Sequence, residues 1–534
     1  MDGWMKQNTQ RFMKGTLLLS IAALITKILS AVYRVPFQNI VGDVGFYIYQ
    51  QIYPFYGIAI TLTTYGFPVI LSKVMAECMG KKHKGGFTHV YTAFISIFYF
   101  SLIVFLFLFF GSGFLARLMG DSRLVPLIQT VSFMYLLVPF ISVMRGFHQG
   151  MGNMIPTAFS QIVEQTIRVV FILLTSSFLI WKGHSLYHVG IGAFLSALFA
   201  SLISTLFLLV ITLRSFPLFQ VRNKFSFRMI FRPSIRMIVQ SIAVSISGLS
   251  LILFQMGDAF QLYSQLVQSG IDEMKAKMLK GVFDRGQPLL QIGIVLITSF
   301  SLSTVPFISS SVHKNEREAK EYVRFALQMS IAFSSAATIG LIAIMDPLNT
   351  MLFENNTGTL ALQLLSPTVF FASLFMTTSA VLQGYGHVYF PAGAALFGVM
   401  IKLTMNPLLI TMYGINGAAI ATTLSFFFVS MITLVKLKQK VDLLAVFRRR
   451  FLSTVLVSLI LLGISILLLY FVFHSIEPYF ASNRLFSTIQ AVGIAIVGGV
   501  VFLLSFLRAG ILTKDEIELL PFGDKWSKLL KNGR

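Results

Sequence analysis

The sequence predicts an all-α polytopic membrane protein of about 14 transmembrane helices: two parallel six-helix repeat lobes and two extra C-terminal helices. Composition and an internal recurrence carry this reading. Of 534 residues, 56% are hydrophobic and 12% charged, with a mean hydropathy of +0.79. Soluble domains carry roughly 25% charged residues, so a water-soluble enzyme is excluded. The recurrence is a fixed offset. Pro54 and Pro288 are 288 − 54 = 234 residues apart, and Gln149-Gly150-Met151-Gly152 returns as Gln383-Gly384-Tyr385-Gly386, 383 − 149 = 234. Arg168 is matched by Lys402, again 402 − 168 = 234. Repeats of this length in a membrane chain mark a transporter whose halves meet around a substrate site.

The apolar runs fall near 15–35, 52–74, 89–114, 124–144, 155–180, 186–213, 235–260, 287–311, 322–344, 359–382, 388–412, 414–435, 451–473 and 485–507. Each approaches the roughly 20 residues a helix needs to cross a hydrocarbon core of about 30 Å. The first has a signal-peptide outline, but Lys27 interrupts it and no small-residue cleavage site follows, so it reads as an uncleaved helix. The second and eighth contain Pro54, Pro68, Pro288 and Pro306, each of which removes a backbone donor and bends its helix. Paired kinks suit a two-state rocking motion and equally a static bend. The Gln-Gly-x-Gly strings close the fourth and tenth spans as tight turns, with Pro156 and Pro391 opening the next helices.

Domain limits follow: an N-lobe over 1–213, a basic cytoplasmic linker over 214–236, a C-lobe over 237–440, spans 13 and 14 over 441–508, and an amphipathic tail over 509–534. Six spans per lobe is even, so the lobes are expected to be parallel rather than inverted. With both termini cytoplasmic, 30 of the 42 Lys and Arg residues fall in inside segments and nine outside. The formal charge of +22 is therefore a topology signal with attraction for anionic lipid, and no nucleic-acid partner is implied. Cys78 is the single cysteine and is placed in a cytoplasmic loop. Nucleotide-loop, paired-histidine and Cys-x-x-Cys motifs are absent from the sequence, so no enzyme activity, metal or cofactor is expected.

The informative residues are charges placed where lipid should be. Lys27 lies about 18 Å into the first span, with Arg168 and Lys402 at similar depth in the fifth and eleventh. A cation at a helix centre costs about 2.5–3.5 kcal/mol facing lipid, so these are expected to face a wet cavity. Arg34 and Arg285 sit near outer span ends. Against these five stand Glu164, four residues before Arg168 and spaced for a helical ion pair, and Asp258, the two candidates for ion coupling. Net positive lining selects anionic cargo. The plainer alternatives are that Arg34 snorkels to the interface and that Glu164 and Arg168 form a structural pair.

Thr26-Lys27-Ile28-Leu29-Ser30-Ala31-Val32-Tyr33-Arg34-Val35-Pro36, Ile40-Val41-Gly42-Asp43, Gly66-Phe67-Pro68 and Asp284-Arg285-Gly286-Gln287-Pro288 resemble the stage V sporulation protein B group. That group lies in the polysaccharide-transporter branch of the multidrug/oligosaccharidyl-lipid/polysaccharide (MOP) exporter superfamily, beside the MurJ lipid II flippases. The resemblance implies a MurJ/MATE-like fold with a cationic cavity, and spans 13 and 14 framing a groove for a lipid tail. It also implies an undecaprenyl-pyrophosphate-linked sugar as cargo, flipped across the plasma membrane. The flippases' first-span basic pair falls near Lys27 and Arg34 and their eighth-span arginine near Arg285. Lys27 stands where arginine is usual, one residue further from its partner, and Gln51-Ile52-Tyr53 lacks the second-span arginine. Lipid-linked sugar, membrane lipids and envelope-synthesis enzymes are the expected partners. An ion-coupled exporter of small amphipathic compounds and a non-transporting envelope or spore-assembly scaffold are the alternatives.

Overall fold

The computed structural model describes residues 21–80, 86–215, 227–295, 315–442, 446–476 and 483–510, with Gly15, Leu18, Leu19, Ile297 and Ile308. Among them the regular structure is helical and contains no strand. The helices are α1 (described over 21–32), α2 (Arg34–Thr61), α3 (Phe67–Gly80), α4 (Gly86–Leu118), α5 (Val125–Ser132), α6 (Met134–Gly150), α7 (Ile155–Trp181), α8 (Leu186–Ser215) and α9 (Phe227–Gln268). They continue with α10 (Glu273–Asp284), α11 (described over 286–295), α12 (Glu316–Phe353), α13 (Thr359–Leu365), α14 (Thr368–Gly384), α15 (Tyr389–Tyr413), α16 (Ile415–Lys438), α17 (Arg449–Ile476) and α18 (Asn483–Arg508).

Among the described residues 11 helices are long and apolar enough to span a bilayer, or 12 if the bent pair Met237–Ile246 and Gly248–Gln268 counts as one. The figure of about 14 remains an expectation, because most of the eighth run, with Pro306, lies outside the described residues, as do the tail beyond 510 and linker residues 216–226. Large side chains turn outward along the apolar helices: Phe110 is 77% exposed, Leu467 71% and Phe471 75%. In water such faces would drive aggregation; in a bilayer they meet acyl chains.

Two compact units divide the chain: Met1–Asp284 with Ala395–Gly414, and Arg285–Ala394 with Ile415–Arg534. They cut across the lobes expected at 1–213 and 237–440, because α9, α10 and most of α15 fall with the first unit. In that unit α2 is the hub, touching α5 to α10, while α7 packs along α8 and α3 along α6. In the second unit α17 lies on α18 and α12 packs on α14 and α18, around an apolar core that includes Phe325, Phe451, Phe502 and Phe506.

Local chemistry explains several departures from the sequence reading. The segment expected to join the first two spans is helical, and the turn is a single break at Gly42, φ 68° and ψ −177°, a conformation essentially confined to glycine. Helix α10 presses on that break, since a Cβ on Gly281 would stand 2.0 Å from the Asp43 carbonyl oxygen. Much of the stretch between the seventh and eighth apolar runs is thus helix packed against α2, and Cys78 falls within α3 rather than in a loop. After Thr61 the helix widens into a π turn, Leu62–Gly66, in which the Phe67 N–H reaches back to the Leu62 carbonyl. Pro68 follows at once; it has no N–H, and the wider turn relieves its clash with the preceding carbonyls.

The Gln-Gly-x-Gly strings close α6 and α14 with the same hydrogen bonds. Gly152 N–H donates to Gln149 O and Asn153 N–H to His148 O; Gly386 N–H donates to Gln383 O and His387 N–H to Leu382 O. Both final glycines have positive φ, 77° and 84°. This is the left-handed helix stop that glycine favours, repeated in the two halves.

Gly281→Ala should lower the melting temperature of the detergent-purified protein by the equivalent of about 1–3 kcal/mol, the usual cost of overpacking. Gly111→Ala, whose added Cβ meets nothing within 4 Å, should not.

Candidate functional site

Burying a charge in an apolar interior is costly unless it is paired, so the pairing of buried charges separates structural from functional groups. Four carboxylates are buried among the described residues: Asp121, Glu164, Asp258 and Asp284. Each is held by a cation. Arg145 Nη2 lies 2.8 Å from Glu164 Oε2, Lys277 Nζ 3.2 Å from Asp121 Oδ2, Lys280 Nζ 2.6 Å from Asp284 Oδ1 and Lys402 Nζ 2.6 Å from Asp258 Oδ2. The other buried cations are all arginines: Arg34, Arg168 and Arg285.

The Glu164 pair differs from the helical one the sequence suggested. Glu164 points across to Arg145 and accepts from Ser201 Oγ at 2.5 Å, leaving Arg168 on the same helix without it. Arg145 is further tied by Nε to Ser160 Oγ at 3.0 Å and by Nη1 to Thr63 O at 3.4 Å. That Thr63 carbonyl belongs to the π turn. An arginine counted in a cytoplasmic segment is thus a buried clamp joining α6, α7 and the end of α2.

Arg34 opens α2 and is 1% exposed; no carboxylate pairs with it among the described residues, and its Nε and Nη1 have no hydrogen-bond partner. Its guanidinium lies 4.2 Å from the centre of the Tyr53 ring. Arg168, 2% exposed, donates from Nη2 to Ser30 Oγ at 3.2 Å and sits 5.2 and 5.0 Å from the Tyr33 and Tyr56 rings, while its Nε finds no acceptor. The tyrosines hold one another: Tyr33 and Tyr49 share a hydroxyl hydrogen bond of 2.7 Å, and Tyr49 stacks on Phe194 at 5.0 Å. Two guanidinium groups therefore stand in a nest of aromatic faces, held by cation–π attraction rather than by acids. Guanidinium tolerates this environment because its charge is delocalised and weakly hydrated.

The remaining candidates have other surroundings. Lys27 is half-buried, its ammonium 5.9 Å from the Tyr65 ring. Arg285, in the second unit, donates from Nη1 to Asn349 Oδ1 at 3.3 Å and Asn355 Oδ1 at 2.8 Å, over the Phe353 ring. Lys402 and Asp258, read from sequence as a cavity cation and a coupling acid, are bound to each other. Pro54 lies within α2, Pro68 at the start of α3 and Pro288 in the first turn of α11. The aromatic nest escaped the sequence reading, although Tyr49, Tyr53 and Tyr56 recur at helical spacing after the Gly42 break, which lets Tyr53 face Arg34 on the segment before it.

Residues 12–312 match the family described as polysaccharide biosynthesis protein. The chain belongs to that family. It is 40% identical over 528 residues to the uncharacterized membrane protein YabM of Bacillus subtilis (strain 168), covering 97% of this chain and 96% of that one. It is 27% identical to the lipid II flippase MurJ of the same organism, over 96% and 98% of the two chains. Identity to its stage V sporulation protein B is 24%, over 96% and 98%. The fold is that of a multidrug resistance MATE family transporter of the MOP superfamily in its inward-facing conformation, with a TM-score of 0.64 at 16% identity over 82% of this chain and 99% of that one. It is equally that of lipid II flippase MurJ, inward closed, with a TM-score of 0.61 at 16% identity over 92% and 98%. The protein is thus a multi-pass membrane protein of that family, with the fold seen in MurJ and MATE transporters.

Replacing Arg145 by Met should destabilise the purified protein by about 3–5 kcal/mol, because Glu164 is left buried and unpaired. Arg34→Met removes a buried charge with no ion-paired carboxylate among the described residues, and its thermal unfolding midpoint should match or exceed wild type.

Proposed function

We propose that the chain flips an undecaprenyl-pyrophosphate-linked oligosaccharide from the cytoplasmic to the outer leaflet of the plasma membrane by alternating access. The observation that carries this reading is the surplus of buried guanidinium: Arg34 and Arg168 keep N–H donors unused while every buried carboxylate among the described residues is taken. Pyrophosphate offers several charged acceptor oxygens, and arginine binds such groups through paired, charge-assisted hydrogen bonds. Aromatic walls keep the local dielectric low, which strengthens that attraction. Arg34 and Arg168 are the two best prepared for the headgroup, with Lys27 as a further candidate in the same unit; Arg285, a candidate from the sequence, belongs to the second unit.

The charge distribution supports cytoplasmic termini more strongly once buried groups are removed. Without Arg145 the inside count of 30 becomes 29; without Arg34, Lys277, Lys280 and Arg285 the outside count of nine becomes five. A MATE-type exporter of cationic compounds is the second reading, favoured by the fold likeness alone. It needs a carboxylate free to meet its cargo or ion, and Glu164 and Asp258 are both committed to cations. A scaffold role leaves the two arginines without a purpose.

Reconstitution into vesicles with a fluorescent undecaprenyl-pyrophosphate sugar tests the proposal by its accessibility on the far leaflet. Wild type should flip it, and Arg34→Met and Arg168→Met should each slow flipping at least about tenfold, the loss of one charge-assisted contact. Unchanged flipping in both variants, or none by wild type, points to the exporter or the scaffold.

A further inference from the structure

The Lys402–Asp258 pair sits among groups that a small cation would also use. Asp258, on α9, is 1% exposed and Lys402, on α15, 0%, with Nζ 2.6 Å from Oδ2. One turn further along α15, Asn406 is also fully buried; its Nδ2 donates to Asp258 Oδ1 at 3.4 Å, and its own Oδ1 accepts no hydrogen bond. A carboxylate and an unused amide oxygen, dry and adjacent, form a hard oxygen donor set for a monovalent cation. The carboxylate is met by an ammonium carried on the protein itself. Gly257 lies alongside it: a Cβ there would stand in ordinary van der Waals contact, 3.7 and 3.8 Å from Lys402 Cδ and Cε, so the lysine stem runs along the α9 backbone. Gln261 Nε2, donating to Leu403 O at 2.9 Å, fixes the two helices in the same register.

The internal repeat shows what is particular to this site. At the offset that pairs Lys402 with Arg168, Asp258 falls on Leu24 (258 − 234) and Asn406 on Ile172 (406 − 234). The first half keeps the cation without acid or amide; the second half has all three. A carboxylate would be counterproductive beside a cation meant for anionic cargo, so Lys402 serves a different end from Arg168.

We propose that Lys402 is a tethered counter-cation filling a carboxylate–amide site that would otherwise bind an inorganic monovalent cation, so that this transporter works without a coupling ion at Asp258. Two positive charges a few ångströms apart in a dry interior repel strongly, so the ammonium and a sodium ion exclude each other. The inference uses the transporter class and is independent of the cargo. A purely structural pair is the competing account, and it offers no site when the lysine is removed.

The test is thermal unfolding of the full-length purified protein at one pH in sodium, potassium and choline chloride of equal ionic strength. Wild type and the double variant Lys402→Ala/Asp258→Asn should melt at the same temperature in all three salts. Lys402→Ala should melt lower in choline and recover with sodium or potassium along a saturating single-site curve. No recovery with either cation, or sodium stabilisation of wild type over choline, overturns the proposal. If Lys402→Ala cannot be purified, wild type with choline on both sides of the vesicle decides: activity equal to that in sodium supports a tethered cation, and a sodium requirement refutes it. Because melting needs no lipid cargo, failure here is distinct from failure of the flippase reading.

Discussion

Two guanidinium groups buried beside aromatic rings, with no carboxylate in ion-pair contact among the described residues, are the constraint around which the first unit is arranged. A cation at the centre of a membrane helix costs about 2.5–3.5 kcal/mol on insertion scales. Cation–π contact returns about 2 kcal/mol when the site is desolvated, which offsets much of that cost at Arg34 and Arg168 without saturating their donors. A carboxylate would have stabilised each of them further. N–H groups of both arginines are left without acceptors, as the proposed anionic cargo requires, and the tyrosine hydroxyls and Ser30 hold the geometry.

The other buried charges define that site by contrast. Arg145, Lys277, Lys280 and Lys402 each meet a carboxylate, and each pair fastens neighbouring backbone. Arg145 and Glu164 bind α6 to α7, Lys402 and Asp258 bind α15 to α9, and Lys277 joins α10 to Asp121, which also accepts from Tyr47 and Tyr187. In the Arg145–Glu164 and Lys277–Asp121 pairs one partner is far more costly to remove alone than both are together. The cations thus divide into a set fastened to carboxylates and a set, Arg34 and Arg168, that keeps donors unused, which is what the proposed anionic cargo would need.

Much of this was legible in the amino-acid order. Apolar runs announced a helical membrane protein, and the charges interrupting them pointed to Arg34, Arg168 and Lys402, all of which are buried. Partner choice was not legible. The spacing of Glu164 and Arg168 fits a pair on one helix, yet packing of α6 against α7 brings Arg145 closer, and no local pattern reports that. Lys277 and Lys280 looked like loop charges because α10 is polar in sequence; tertiary contact with α2 buries them. The break at Gly42 was hidden for a related reason, since one residue with φ of 68° replaces the loop that the gap between apolar runs suggested.

Binding of cargo headgroups to the purified protein tests the central claim most directly. Undecaprenyl pyrophosphate should bind wild type more tightly than undecaprenyl monophosphate does, a quaternary ammonium compound should not compete, and Arg34→Met/Arg168→Met should lose the preference for the second phosphate. Equal binding of both lipids, or displacement by the ammonium compound, would contradict an interior built to receive a pyrophosphate.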